Sequence, residues 1–248
     1  FYEEQGHYWF DTQPSVTKTA NDYAERLRED VETVWNEITE RLGIEERARG
    51  VFDRVHVAPA SSADIPDLED ARLVIVHPRH SRRKSDGADS STHQWVRDAV
   101  ETKGGSQRVY RNTLVFLVAD KSELESLEAA ARSFLAWRRV QATSESLNLS
   151  VQQRRQTDDW VTRLDRTVSD RIRDTFVWAV YPEQFDATKP FELITDKVPD
   201  SSGRSIAERV AAKLSRDDQL VTELGAPILG ATLHQELGQL WRDKGEIS

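Results

Sequence analysis

The run Thr113 to Ala119, TLVFLVA, constrains this chain more than any other stretch, because it lacks polar alternation and passes straight into a helical pattern. A strand that is apolar on both faces must be covered on both sides, which places it inside a layered α/β sheet. Leu114, Phe116 and Val118 are expected on one face, and Val115, Leu117 and Ala119 on the other. The helix should run from about Ser122 to Val140, with Ser122 and Glu125 at the spacing of a capping box. Nucleotide-binding folds hold a phosphate at a join of this kind. Here the turn reads Ala-Asp-Lys-Ser and lacks the glycines that let a backbone curl round a phosphate.

The flanking sequence supplies the rest of such a sheet. Val16, Ala20, Tyr23, Leu27, Val31, Val34, Ile38 and Leu42 recur at helical spacing, so Ser15 to Leu42 reads as one long helix stopped at Gly43. VFDRVHVAP (Val51 to Pro59) and ARLVIVHP (Ala71 to Pro78) are short and rich in β-branched residues, as strands are. The polar stretch Arg79 to Thr92 reads as an exposed loop before a short helix, His93 to Glu101. A second long helix, Val151 to Thr175, feeds the strand FVWAVYP; the turn EQFDATK and the run FELITDKV then suggest a β-hairpin or edge strand. Two shorter helices, Ser205 to Leu214 and about Ile228 to Trp241, follow.

Strands alternating with helices predict an α/β fold with a mostly parallel, Rossmann-like sheet flanked by helices over residues 1–182. Residues 183–248 would then form a hairpin and a small helical or winged-helix-like subdomain.

A net charge of −9, from 43 acidic and 34 basic residues, argues against binding nucleic acid over the whole surface and leaves room for a local basic patch. The absence of cysteine excludes disulfides, thiolate zinc sites and a cysteine nucleophile. No apolar run reaches the roughly 18 residues of a membrane span, and FYEEQGHYWF is not a signal peptide, so a cytoplasmic protein without membrane contact is expected. A chain that begins at Phe1 and contains no methionine is expected to be a piece of something longer.

Candidate chemistry is sparse. Arg79, Arg82, Arg83 and Lys84 form a basic run that either grips phosphates or a nucleic-acid backbone or is a solvated loop. Arg111 and Asn112, just before the central strand, either orient a polar ligand or tie down neighbouring backbone. His77 and His80 follow a buried strand, His56 lies on the neighbouring strand and His93 follows the loop, yet no carboxylate or cysteine stands at a ligand spacing, so no metal is assigned. SSGRS, Ser201 to Ser205, has Val198 where a phosphate loop needs its first glycine, and Ser205 with Glu208 reads as a capping box instead. Asp11, Asp64, Asp67 and Asp120 sit near element ends, where carboxylates cap turns and helices. Tyr8, Trp9 and Phe10 either stack a base or anchor the following helix. No catalytic set is assigned.

GHYWFDTQPSVTKTANDYAERL, ADIPD, YRNTLVFLVAD with AAARSFLAW, and GRSIAERVAAKL, in that order, resemble the region following the ATPase core in a family of large prokaryotic proteins. These are AAA+-superfamily ATPase-like proteins carrying domain of unknown function 499, and they are associated with phage defence. The resemblance covers nearly the whole chain. It implies a non-catalytic accessory region that couples nucleotide-driven motion to a partner. No cofactor would bind in this region, while ATP and Mg would bind elsewhere in the parent protein. The implied partners are the remainder of the parent ATPase and DNA or a DNA methyltransferase. The alternative is a nucleic-acid-binding module that uses the basic loop and the C-terminal helices.

Overall fold

The computed structural model describes residues 15–184, 189–199, 203–217 and 219, with the backbone of Tyr2–Glu4 and His7–Trp9. Phe10, Asp11, the side chains of Tyr8 and Trp9, the turn at 185–188 and the helix expected near Ile228 to Trp241 lie outside the described residues. The chain divides into two compact units, Phe1–Val210 and Ala211–Ser248. The first contains all the described strands.

Along the chain, β1 (Tyr2–Glu4) pairs antiparallel with β2 (His7–Trp9), and two helices follow, α1 (Val16–Arg26) and α2 (Val31–Leu42). Then come β3 (Arg54–Val57), β4 (Arg72–Ile75), α3 (Ser91–Glu101) and a two-residue hairpin of β5 (Thr102–Lys103) and β6 (Ser106–Gln107). The remaining elements are β7 (Leu114–Ala119), α4 (Lys121–Ala142), α5 (Val151–Thr175), β8 (Phe176–Glu183), β9 (Glu192–Lys197) and α6 (Ile206–Arg216).

The main sheet has five strands in the order β3-β4-β7-β8-β9. β3, β4 and β7 are parallel, while β8 and β9 each run antiparallel to the preceding strand. The sheet is therefore mixed, which corrects the mostly parallel, Rossmann-like expectation. The reason lies between β7 and β8. A single crossover helix delivers the chain to a parallel strand, whereas α4 and α5 form a hairpin of two helices that returns it to the edge where β7 ended. The run at 192–197 forms the expected edge hairpin. It closes the main sheet as β9, so this sheet extends beyond residue 182.

All six residues of β7 are buried. Leu114, Phe116 and Val118 share one core cluster with Val74, Val76, Ile65 and the α3 residues Val96, Ala99 and Val100. Val115, Leu117 and Ala119 face the other side, where α2, α4 and α5 pack, with α1 outside against α4. That outer layer has its own core, in which Val16, Ala20, Trp137, Val140 and Leu149 gather and Trp137 stacks on Trp160 at 5.4 Å.

The single helix expected over Ser15 to Leu42 is instead two. Asp30 ends the continuity, because its carboxylate accepts the Thr33 amide (3.2 Å) and hydroxyl (2.6 Å) and so starts α2 as a new helix. Among the described residues, no helix is long and apolar enough to cross a membrane.

Candidate functional site

In an α/β sheet, connections that leave neighbouring parallel strands toward opposite faces open a crevice at the carboxyl ends of those strands, and ligands bind there. This sheet has such a place between β4 and β7. The chain leaving β4 turns to α3 on one face, and the chain leaving β7 enters α4 on the other. At this edge β3 turns away through Ala58, a non-glycine residue with φ of 47°, whose amide donates to the Ile75 carbonyl (2.8 Å).

The chain's own loop occupies part of the crevice. Past β4, Val76 still donates to the Leu117 carbonyl (2.9 Å), and His77, Pro78, Arg79 and His80 then make a short 3-10 turn. The next residues return alongside β7. The Arg82 amide donates to the Ala119 carbonyl (2.9 Å), and the Arg82 carbonyl accepts the Lys121 amide (2.7 Å), a parallel bridge between Arg82 and Asp120. The Thr92 hydroxyl donates to the Ser81 carbonyl (2.9 Å) and fastens the loop to α3.

The four basic residues of the run are not equivalent. Arg79 is ion-paired with Glu32 of α2 (3.2 Å) and lies over the Trp35 ring at 5.8 Å. Arg82 is buried. Its guanidinium donates to the Asp86 carbonyl (2.9 Å) and lies 5.1 Å from the Trp178 ring, which also has the Lys197 ammonium at 5.8 Å. Burial pulls the Arg82 pKa down, and the Asp86 and Asp120 carboxylates oppose that pull. Arg83 and Lys84 are exposed and line a cleft of about 550 Å³ with Ser85, Asp120 and Ser122.

Asp120 closes the end of α4. Its Oδ1 accepts the Ser122 amide (3.0 Å) and the Ser122 hydroxyl (2.6 Å). The cap is therefore Asp120, and the expected Ser122–Glu125 capping box is replaced by it. Strand and helix are joined through one residue, too short a turn to ring a phosphate with backbone amides. A carboxylate already sits at the positive end of the helix dipole.

The histidines behave as packing groups. His77 Nδ1 accepts from the Arg79 amide (3.1 Å) and Nε (3.3 Å), and the ring meets Trp35 edge-on at 5.3 Å. His80 stacks on Trp95 at 5.2 Å. Among the described residues, no group of three or more histidines and carboxylates is placed to hold a metal ion.

Arg111 and Asn112 lie at the amino end of β7, the opposite end from the basic loop. Arg111 Nε donates to the Arg108 carbonyl (3.2 Å), and Asn112 is exposed. Asp67 accepts the amides of Val109 (2.8 Å) and Tyr110 (3.0 Å), and Asp64 completes a capping box with Ser61. Ser205 and Glu208 form the expected capping box at α6. Sequence reasoning missed the buried arginines Arg72, Arg108 and Arg209, of which the first two show their partners most fully. Arg108 donates to carbonyls of Ser62, Ile65, Pro66, Ala99 and Thr102, and Arg72 lies buried between Asp53 (3.8 Å) and Asp70 (3.7 Å). Arg72 had a signal, an arginine opening the otherwise apolar run RLVIV.

A larger cleft, about 620 Å³, lies among α2, α4 and α5. Its charges answer one another: Arg41 donates to Glu37 (2.6 Å) and Asp165 (2.7 Å), with its guanidinium 4.3 Å from the Phe134 ring. This is a structural ion network. Comparison with protein-family models, curated proteins and solved structures gives no match to this chain, so a functional reading rests on the geometry of the carboxyl edge and on the sequence resemblance.

Proposed function

We propose that this chain is a non-catalytic accessory region of a AAA+-superfamily ATPase-like protein, coupling nucleotide-driven motion to a partner in a cytoplasmic DNA-associated or phage-defence system. The sequence resemblance supplies the machine. The observation that carries the non-catalytic part is the loop lying in the crevice: Arg82 bridges to Asp120 where an α/β sheet would receive a nucleotide, and Asp120 caps the helix that would face a phosphate. ATP and Mg would then bind in the parent protein outside this chain. The purified chain should hydrolyse no ATP above a heat-denatured control. Robust Mg-dependent turnover would sink the reading.

A second reading is favoured by one observation, the exposure of Arg83 and Lys84 beside an open cleft. On this reading the loop grips a nucleic-acid backbone. Phosphate contacts release counterions, so the logarithm of affinity should fall with the logarithm of salt by about 0.9 per phosphate contacted on duplex DNA. Neutralising Arg83 and Lys84 together should weaken binding and flatten that slope. A gel-shift titration indifferent to the double substitution removes the loop from consideration.

A further inference from the structure

We propose that His77 is a proton-sensitive latch, holding the first turn of the loop in the crevice against α2 while its imidazole is neutral and releasing it when the imidazole is protonated. The geometry is specific. His77 Nδ1 accepts two donors from one residue, the Arg79 amide and the Arg79 Nε, so the ring proton must sit on Nε2. Arg79 is held at its far end by Glu32 (3.2 Å and 3.5 Å). Trp35, against which both His77 and Arg79 lie, is fixed by its indole N–H donating to Glu128 of α4 (2.8 Å). The loop's first turn is thereby tied to α2 through Arg79 and Trp35, and the imidazole acceptor within the turn orients the Arg79 side chain that makes the tie.

A second proton on His77 destroys this arrangement. It converts Nδ1 from acceptor to donor, leaves the Arg79 amide and Nε without their acceptor, and sets an imidazolium beside a guanidinium. The charged groups acting on the ring are Arg79 and His80 from the turn and Glu32 from α2. Burial, Arg79 and His80 favour the neutral form, and Glu32 opposes them, with the balance holding the His77 pKa below its ordinary 6.5. A released, solvated imidazole would titrate near 6.5. Protons therefore bind the released state better than the latched one. Acidification below about pH 6.5 shifts the equilibrium toward release by up to about tenfold per pH unit, until the latched pKa is passed.

The experiment is hydrogen exchange of the Arg79 amide, expressed as protection over the intrinsic rate, with an NMR titration of the His77 ring in the same samples. Protection should be constant from about pH 8 to 7 and should then fall by up to about tenfold per pH unit below about 6.5. The Phe116 amide in β7 should keep its protection over the same range. His77→Asn retains a capping acceptor without a titrating ring, and its Arg79 protection should stay flat. The proposal is overturned by flat protection in the wild type, by the same fall in His77→Asn, or by parallel loss at Phe116, which would be global unfolding. If His77→Asn fails to fold, the wild-type ring decides. A midpoint at or above 6.5, or a proton on Nδ1 at neutral pH, overturns the latch, and a lower midpoint with Nε2 protonated supports it.

Discussion

Arg108 shows what a single residue does in this fold. Its guanidinium, fully enclosed, donates to five carbonyls from two segments, the turn at Ser62, Ile65 and Pro66 and the end of α3 at Ala99 and Thr102. Charged-group hydrogen bonds of this kind are strong, and losing the donor leaves buried acceptors unpaired. Arg108→Met should therefore destabilise the protein by about 3 to 5 kcal/mol in urea titrations. Arg108→Lys should rescue little, since a point-like ammonium cannot reach a fan of acceptors. A Lys variant as stable as wild type would show that charge alone matters. Phe116→Ala should lose a similar amount through lost apolar transfer and a residual cavity, because Phe116 is fully buried on the α3 face of β7. Asp120→Ala should cost nearer 1 kcal/mol, the worth of a helix cap, and thermal melts of the two variants give the comparison.

Between α1 and α2, at the scale of elements, the sign of one substitution distinguishes two structures. In a continuous helix, Asp30→Ala would stabilise by a few tenths of a kcal/mol, since alanine is the better helix former. With Asp30 capping α2 through Thr33, the same change should destabilise by about 1 kcal/mol, read from the denaturant midpoint. Period-based reading missed this break because Val31, Val34, Ile38 and Leu42 keep nearly the same phase as Val16 and Ala20. Other elements were legible where one signal dominates: α5 keeps the bounds Val151–Thr175, set by the Ser150–Gln153 capping box and by the β-branched and aromatic run that follows. The direction of β8 was not legible, because FVWAVYP is equally apolar in either orientation and the two-helix return decides it. The basic run was visible as charge. Its division into a paired Arg79, a buried Arg82 and an exposed Arg83 and Lys84 depends on Glu32 and Trp178, each more than 40 positions away.

For the whole molecule, four described histidines make stability depend on pH in one direction. His56, His77, His80 and His93 all have pKa values pulled below 6.5, with burial the largest cause in each. Neighbouring arginines add to it: Arg72, Arg54 and Arg108 act on His56, Arg79 on His77 and His80, and Arg97 and Arg82 on His93. The unfolded chain, with histidines near 6.5, binds more protons than the folded chain in the window below that value. Stability therefore rises with pH there. It is fully present above about pH 6.5 and is lost as pH falls through the folded-state values. Urea midpoints should be level between about pH 8 and 7 and should decline progressively below about 6.5, before most carboxylates titrate. His56 gives the sharpest single test, because its Nε2 is buried with no hydrogen-bond partner among the described residues and three arginines oppose its charge. His56→Leu removes both the titration and the unpaired atom, so its decline between about pH 6.5 and 5 should be shallower than that of the wild type. A protein that grew more stable on acidification through this window would contradict the burial of these rings. Equal slopes for the two proteins would mean that His56 takes up its proton as readily in the folded sheet as in the unfolded chain.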